Sequence, residues 1–404
     1  MKRLCIFCFY DSKGIVDKSV EYLLGELVLN SDRLVIVVNS NIEDDSKKTL
    51  ETYSKDVVVR ENAGYDAGAY KFAIFKYLKI EEIRQYDELI LCNDTFIGPF
   101  IPLKDIFDTM EKRECDWWGI NGVDWTFMPV IQSYFLAFNK SIIQDDKFFK
   151  YWQDNIDEHT HCLEDVYAQF ETGLFYYLTQ LEKKKYSVYV PENNCNIYTS
   201  VSISIKKYGI PLIKKKVLKK YTDNQDDIMD SLKYLCDMHC YPVENIIDYI
   251  QRFCDVRITK EQIAEYVVDK VYIKDNPYVE LETTTEDMKK SIDESEGFYI
   301  YGCGVWARKI YWNLCRDNSN FKGFLISDIE KFGHKQLYGF DVMQIDKVNI
   351  DKDADIVLGV NKANAIDITK KYLAGIDKRR VVSLFPDTLA GIYQEYNVSV
   401  IMEL

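Results

Sequence analysis

The chain is 404 residues long and carries 51 Lys and Arg against 65 Asp and Glu, a formal net charge of -14. Such acidity excludes the broad basic footprint that nucleic-acid binding requires, so no nucleic-acid partner is expected. The length exceeds one average domain and predicts two or three, while a hydrophobic content of 47% is ordinary for a globular protein.

At the amino end, Leu4-Cys5-Ile6-Phe7-Cys8-Phe9 is an apolar run that Asp11 and Lys13 stop too early for a signal peptide, and it reads as a buried first strand. Cys5 and Cys8 form a CxxC inside that strand with no second pair nearby, so packing is expected of them. Val16, Val20, Leu23, Leu24 and Leu27 then recur at helical spacing, and Leu34-Val35-Ile36-Val37-Val38 is a second strand ending at Asn39. Asp44, Asp45 and Ser46 offer caps for a polar helix, and Asp56-Val57-Val58-Val59-Arg60 is a third strand. Beyond Gly68, a helical stripe of Tyr70, Ala73, Ile74, Tyr77 and Leu78 leads to the strand Leu89-Ile90-Leu91-Cys92. This alternation predicts an α/β domain, its sheet mostly parallel with helices on both faces.

After about Tyr221 the texture changes to helix-like segments that run to about Glu296 and read as a helical connector. Phe298-Tyr299-Ile300-Tyr301-Gly302-Cys303-Gly304 then opens a second, smaller α/β unit, with later strands at Gly323-Phe324-Leu325-Ile326-Ser327-Asp328 and Asp355-Ile356-Val357-Leu358-Gly359. The predicted division is 1–221, 222–296 and 297–404. No apolar stretch approaches the roughly 20 residues that span a bilayer. Eleven cysteines at irregular spacing fit reduced thiols and a cytoplasmic location.

The chemistry concentrates between Arg60 and Pro99. Gly64 and Gly68 let a loop turn tightly and approach a ligand, while Asn62 and Asp66 supply polar groups for a base or ribose. Asp66 equally suits a helix cap, and Asn62 the holding of its own turn. The Leu89 strand stops at Asn93-Asp94, where an α/β sheet presents ligand-binding groups. Asp94 either coordinates a divalent cation on a diphosphate or caps the next turn. His159 and His161 read as surface residues. Seven lysines, Lys206, Lys207, Lys214, Lys215, Lys216, Lys219 and Lys220, form a basic cluster that either rests on anionic lipid or is a solvated face.

In its first 220 or so residues the chain resembles the GT-A glycosyltransferases, and more closely the rhamnan synthesis protein F family of bacterial polysaccharide enzymes. The resemblance lies in Arg60-Glu61-Asn62-Ala63-Gly64-Tyr65-Asp66-Ala67-Gly68, Asn93-Asp94-Thr95-Phe96-Ile97-Gly98-Pro99, Asp116-Trp117-Trp118-Gly119, Ile131-Gln132-Ser133-Tyr134-Phe135 and Phe170-Glu171. It implies a GT-A-like fold and an inverting hexosyl transfer, often of rhamnose, from dTDP-rhamnose or a UDP-sugar to a lipid-linked glycan. The donor would lie against Tyr10, Asp11, Asn39, Asn62, Gly64, Asp66, Asn93 and Asp94, and the acceptor against Asp116, Trp118, Gln132 and Tyr134. The family's Asp-x-Asp metal motif falls where this chain has Asn93-Asp94, which leaves Mg²⁺ or Mn²⁺ at Asp94 an open question. By the same resemblance the general base is Glu171, which stands at the border of an apolar stripe. A lipid-linked acceptor would place the protein peripherally at the inner face of the plasma membrane, touching it through Lys206 to Lys220.

Gly302-Cys303-Gly304 with Asp328 one strand later has the outline of a dinucleotide fingerprint lacking its third glycine, and the unit resembles Rossmann-like modules of bacterial glycan enzymes. NAD is not assigned there. Two other readings stay open: an NAD-dependent sugar oxidoreductase and a non-catalytic subunit of a polysaccharide assembly complex.

Overall fold

A computed structural model of the chain describes residues 1–123, 130–190, 197–267, 283–348, 350 and 354–393. Among these it forms two compact units, each with its own sheet. The first holds Met1–Val123, Val130–His161 and residues 177–267; the second holds Cys162–Tyr176 and the described residues from 283 onward.

In the first unit, β1 (Arg3–Phe9) is buried along its whole length, which is why it reads as an unbroken apolar run. Parallel neighbours flank it, β2 (Arg33–Val38) on one side and β4 (Glu88–Asn93) on the other, and β3 (Asp56–Val59) continues the sheet beyond β2. The register sets Phe9 against Val38 and Cys8 against Asn93, so β1, β2 and β4 end side by side. The sheet carries on through β8 (Phe135–Asn139), antiparallel to β4, to β6 (Trp117–Val123), on which β7 (Val130–Ile131) and β9 (Tyr186–Val190) pair. Because β8 opposes both neighbours, β6 runs in the direction of β4. A separate ribbon joins β5 (Phe96–Ile97) to β10 (Ile213–Lys214).

Helices cover both faces, as the alternating pattern predicts. The Lys18–Asn30 helix starts where the Asp17 carboxylate accepts the amides of Ser19 and Val20. It sets Val20, Leu23, Leu24 and Leu27 against Cys5, Phe7 and Phe9, and the Leu103–Met110 helix joins the same core. On the other face the Tyr65–Phe72 helix lies along β1 and β2. There Phe148 of the Asp146–Asn155 helix meets Phe138, which is stacked on Trp117. The helical stretch after Tyr221 divides. Helices Gln225–Met238 and Glu244–Phe253 share a core with Ile97, Phe100, Ile213 and Leu218 of the first unit, whereas helix Thr285–Glu294 belongs to the second.

The second unit is built on β11 (Phe298–Tyr301), with β12 (Phe321–Ile326) and β15 (Asp355–Leu358) as parallel neighbours. Beyond them lie β14 (Phe340–Gln344) and β16 (Val381–Val382), also parallel, with β13 (Gln336–Leu337) antiparallel on β14. The five parallel strands stand in the order 3-2-1-4-5 of a doubly wound sheet. The same unit contains Cys162–Tyr176, where the expected helix includes π-helical turns over Tyr167–Thr172.

Candidate functional site

Parallel strands leave their last carbonyls and the loops that follow at one edge, and at the carboxyl edge of β1 to β4 the polar residues of the first unit gather. Gly64 opens the Tyr65–Phe72 helix with φ of +69°, and a side chain there would collide with the Glu158 backbone at 2.8 Å. The loop therefore needs glycine for both its turn and its close packing. Arg60 braces it, donating to the Asn39 Oδ1 at 3.0 Å and to the Ala63 carbonyl at 3.0 Å. Asn39, buried at the end of β2, donates through Nδ2 to the Tyr65 carbonyl at 2.7 Å and to Asn62 Oδ1 at 3.3 Å.

A second chain of bonds ties this loop to the end of β4. Asp66 Oδ2 accepts from Asn93 Nδ2 at 2.7 Å, while Asn93 Oδ1 accepts from the Thr95 hydroxyl at 2.7 Å. Thr95 Oγ1 in turn accepts from Lys214 Nζ at 2.5 Å, and that ammonium lies 4.3 Å from the centroid of the Tyr134 ring. Alongside, Asp94 accepts the Tyr10 amide through Oδ1 at 3.2 Å and pairs through Oδ2 with Lys215 Nζ at 3.3 Å. Burial pushes the carboxyls of both Asp66 and Asp94 above the usual range. The Asn93 and Ala67 hydrogen bonds partly offset this for Asp66, and Lys215 for Asp94. The Tyr10 side chain is 48% exposed at this rim. Asp11 turns its own loop by accepting the amides of Lys13 and Ile15, and its Oδ2 pairs with Arg252 Nη2 at 2.6 Å.

Every residue expected to hold a donor thus stands at this one edge. The four expected to hold an acceptor are divided. Tyr134 reaches the rim: its carbonyl accepts the Asn93 amide, its hydroxyl bonds Asn121, and its ring underlies Lys214. Gln132 is buried and accepts from the Tyr198 hydroxyl at 3.2 Å. Asp116 and Trp118 stand at the amino end of β6, the edge opposite the rim. Asp116 accepts the Ser141 hydroxyl and the Lys185 amide, and Trp118, only 2% exposed, packs on Phe107 and donates to Glu88 at the start of β4. Glu171 lies in the segment that belongs to the second unit, where its charge supports the half-buried Lys309 ammonium against a fall in pKa that desolvation drives.

The donor set at Asn93-Asp94 does not fit a divalent cation. Asn93 Oδ1 is engaged by Thr95, both Asp94 oxygens have partners, and the Lys215 ammonium on Asp94 would repel a metal. Among the described residues no group of three or more His, Cys, Asp and Glu side chains has metal-binding proximity.

Lys214 and Lys215 are the site residues that sequence reasoning placed elsewhere. They belong to the basic cluster expected on the surface, yet they are 6% and 8% exposed, carried inward by β10. Lys206, Lys207, Lys216, Lys219 and Lys220 remain exposed. The apolar residues around them, Leu212, Ile213, Val217 and Leu218, were the signal for that segment's burial.

A family model described as rhamnan synthesis protein F matches residues 34–289, more than half of the chain. Similar proteins include an uncharacterized protein y4gN of Sinorhizobium fredii (strain NBRC 101917 / NGR234), 26% identical over 153 residues, which are 37% of this chain and 39% of that protein. Another is a virulence protein VirA of Vibrio anguillarum, 29% identical over 187 residues, 44% of this chain and 56% of that one. The chain therefore spans about half, or less, of the length of these relatives. Similar solved structures include a 4-diphosphocytidyl-2C-methyl-D-erythritol synthase from Anaerococcus prevotii, 16% identical with a TM-score of 0.32, covering 46% of this chain and 87% of that one. A glucosyl-3-phosphoglycerate synthase from Mycobacterium tuberculosis, in complex with phosphoglyceric acid, is 12% identical with a TM-score of 0.26, covering 52% and 81%.

Proposed function

The chain belongs to the rhamnan synthesis protein F family, and from that premise we propose that it is a glycosyltransferase of polysaccharide synthesis, moving a sugar from a nucleotide-sugar donor to a lipid-linked glycan. The observation that carries this reading is the rim itself, where Asn39, Asn62, Asp66, Asn93 and Asp94 converge at the carboxyl edge beside two buried lysines. In the proposed reaction, with dTDP-rhamnose or a UDP-sugar as donor, the nucleoside lies against Tyr10, Asn39 and the Gly64 loop. The acceptor hydroxyl attacks the anomeric carbon as the carbon–oxygen bond to the diphosphate breaks, and the configuration inverts.

The leaving diphosphate gathers negative charge, which fixed cations in a dry site stabilise strongly. Lys214 and Lys215 supply that charge without a metal. Glu171 is the proposed acceptor of the hydroxyl proton. Exposed Lys207, Lys216, Lys219 and Lys220 offer a basic surface toward the anionic lipid from which the acceptor would hang.

The test is donor binding and turnover with a panel of dTDP- and UDP-sugars. Saturable donor binding that Asn62→Ala weakens supports the transferase; stabilisation by NAD alone favours an oxidoreductase, and stabilisation by neither favours a non-catalytic subunit. For the base, Glu171→Gln should abolish transfer and keep donor binding. Retained turnover moves the role to Asp66, whose proton affinity burial already raises.

A further inference from the structure

The second unit carries a ligand edge of its own. Its first strand β11 ends at Tyr301, and Gly302-Cys303-Gly304-Val305-Trp306-Ala307 opens the Val305–Ile310 helix. Gly302 sits at φ +116°, and a side chain on it would meet the Gly359 carbonyl at 2.8 Å. Sequence reasoning missed the third fingerprint position because Ala307 holds it. Gly359, just beyond β15, compensates, since any Cβ on it would lie 2.6 Å from the Ala307 Cα. The helix is thus drawn tight onto the strand ends, the purpose of that position. Gly304 has nothing within 4 Å of where its Cβ would stand, which leaves a cradle beside the backbone.

Two cavities flank this turn, and both belong wholly to the second unit. One, of about 850 Å³, is lined by Tyr301, Gly302, Asn364, Lys347, Lys371 and Tyr372 among others. The other, of about 420 Å³, is lined by Glu164, Cys303, Gly304, Arg308 and Phe332. They share Ile326, Ser327, Asp328 and Lys331, so together they follow the carboxyl edge from β12 across β11, and the larger one reaches Val360 and Asn364 beyond β15, where the strand order reverses. Each volume lies within the range of about 300–1,000 Å³ of small-molecule sites. Asp328, past the end of β12, spends Oδ1 on the amides of Glu330 and Lys331, which fixes the carboxylate and leaves Oδ2 for a ligand hydroxyl.

We propose that this edge binds a ribonucleoside diphosphate, free or as half of a dinucleotide, independently of the site in the first unit. Asp328 takes the ribose diol, while the Gly304 cradle and Lys331 take the phosphates. The lysines and carboxylates that share the wall suit a ligand with an anionic end and a hydroxylated one, and not a bare phosphate.

Calorimetric titration of the full chain with ADP, GDP and NAD⁺, none of them a product of the donors proposed for the first unit, tests this. At least one of the three should bind with one-to-one stoichiometry to a site that Asn62→Ala, in the first unit, leaves unchanged. Gly304→Leu has room for its Cβ at φ -83° and fills the cradle, so it should weaken that binding at least about tenfold while circular dichroism stays native. Asp328→Asn, or a ligand lacking its ribose hydroxyls, should weaken it by a similar factor. Tighter binding of NAD⁺ than of ADP identifies a dinucleotide, and the reverse a mononucleotide. No saturable heat from any of the three, or binding untouched by Gly304→Leu, overturns the proposal, as does binding lost in Asn62→Ala.

Discussion

At the scale of single residues, the Lys215–Asp94 pair decides most about the first site. Both side chains are nearly dry, and removing one partner of such a pair leaves an uncompensated charge. Lys215→Met should therefore lower stability by about 3–5 kcal/mol in urea denaturation. Adding Asp94→Leu should recover a good part of that loss, and a double variant no better than the single would refute the coupling. The same pair predicts transfer that EDTA does not slow and Mn²⁺ does not speed, measured by sugar incorporation. Sequence made half of this visible. Asn39, Asn62, Asp66, Asn93 and Asp94 were legible because each follows a strand or glycine signal a few residues away. Lys214 and Lys215 were not, because their partners lie 119 and 121 positions earlier and no local pattern reports such a contact.

At the scale of elements, the fold followed its periodicities closely. The Lys18–Asn30 helix buries the very stripe that its spacing marked, so Leu24→Ala should cost about 2–5 kcal/mol through lost burial and a residual cavity. Asp17→Ala should cost about 1 kcal/mol by freeing the amides of Ser19 and Val20, and slightly more because Asp17 also pairs with Arg252. What periodicity leaves out is direction. Asp116 and Trp118 were legible only as a motif of the family resemblance, and only the pairing of β6 with β8 fixes which end of that strand meets the ligand edge. On the far side of the sheet, Arg33 at the start of β2 grips Asp56 at the start of β3 with two bonds and holds its carboxyl below the ordinary range. A depressed folded value means that the pair stabilises above the unfolded pKa near 3.8 and that this contribution is lost as pH falls through the folded one. Melting curves between pH 6 and about 2 should thus show the wild type converging on Asp56→Asn at the acid end, with a modest gap above it because both groups are partly solvated.

At the scale of the whole molecule, the chain is acidic but its charge is uneven, and the exposed lysines of the 206–220 segment stand against a net charge of -14. Co-sedimentation with anionic vesicles at low salt should fall on charge reversal of Lys216, Lys219 and Lys220 and vanish at high salt. No helix among the described residues is long and apolar enough to cross a membrane. The family match ends at residue 289, ahead of β11, so the second sheet is the part of the chain least explained by kinship and most dependent on its own geometry.

The ribbon of β5 and β10 imposes an order of events during synthesis. The acids at the rim leave the ribosome well before residues 213–215, so a nascent chain paused between them lacks the lysines that pair with the rim. Donor affinity in a series of stalled chains should therefore appear abruptly, once the lysine ribbon and the Gln225–Phe253 helices behind it have emerged, and not rise gradually as the sheet lengthens.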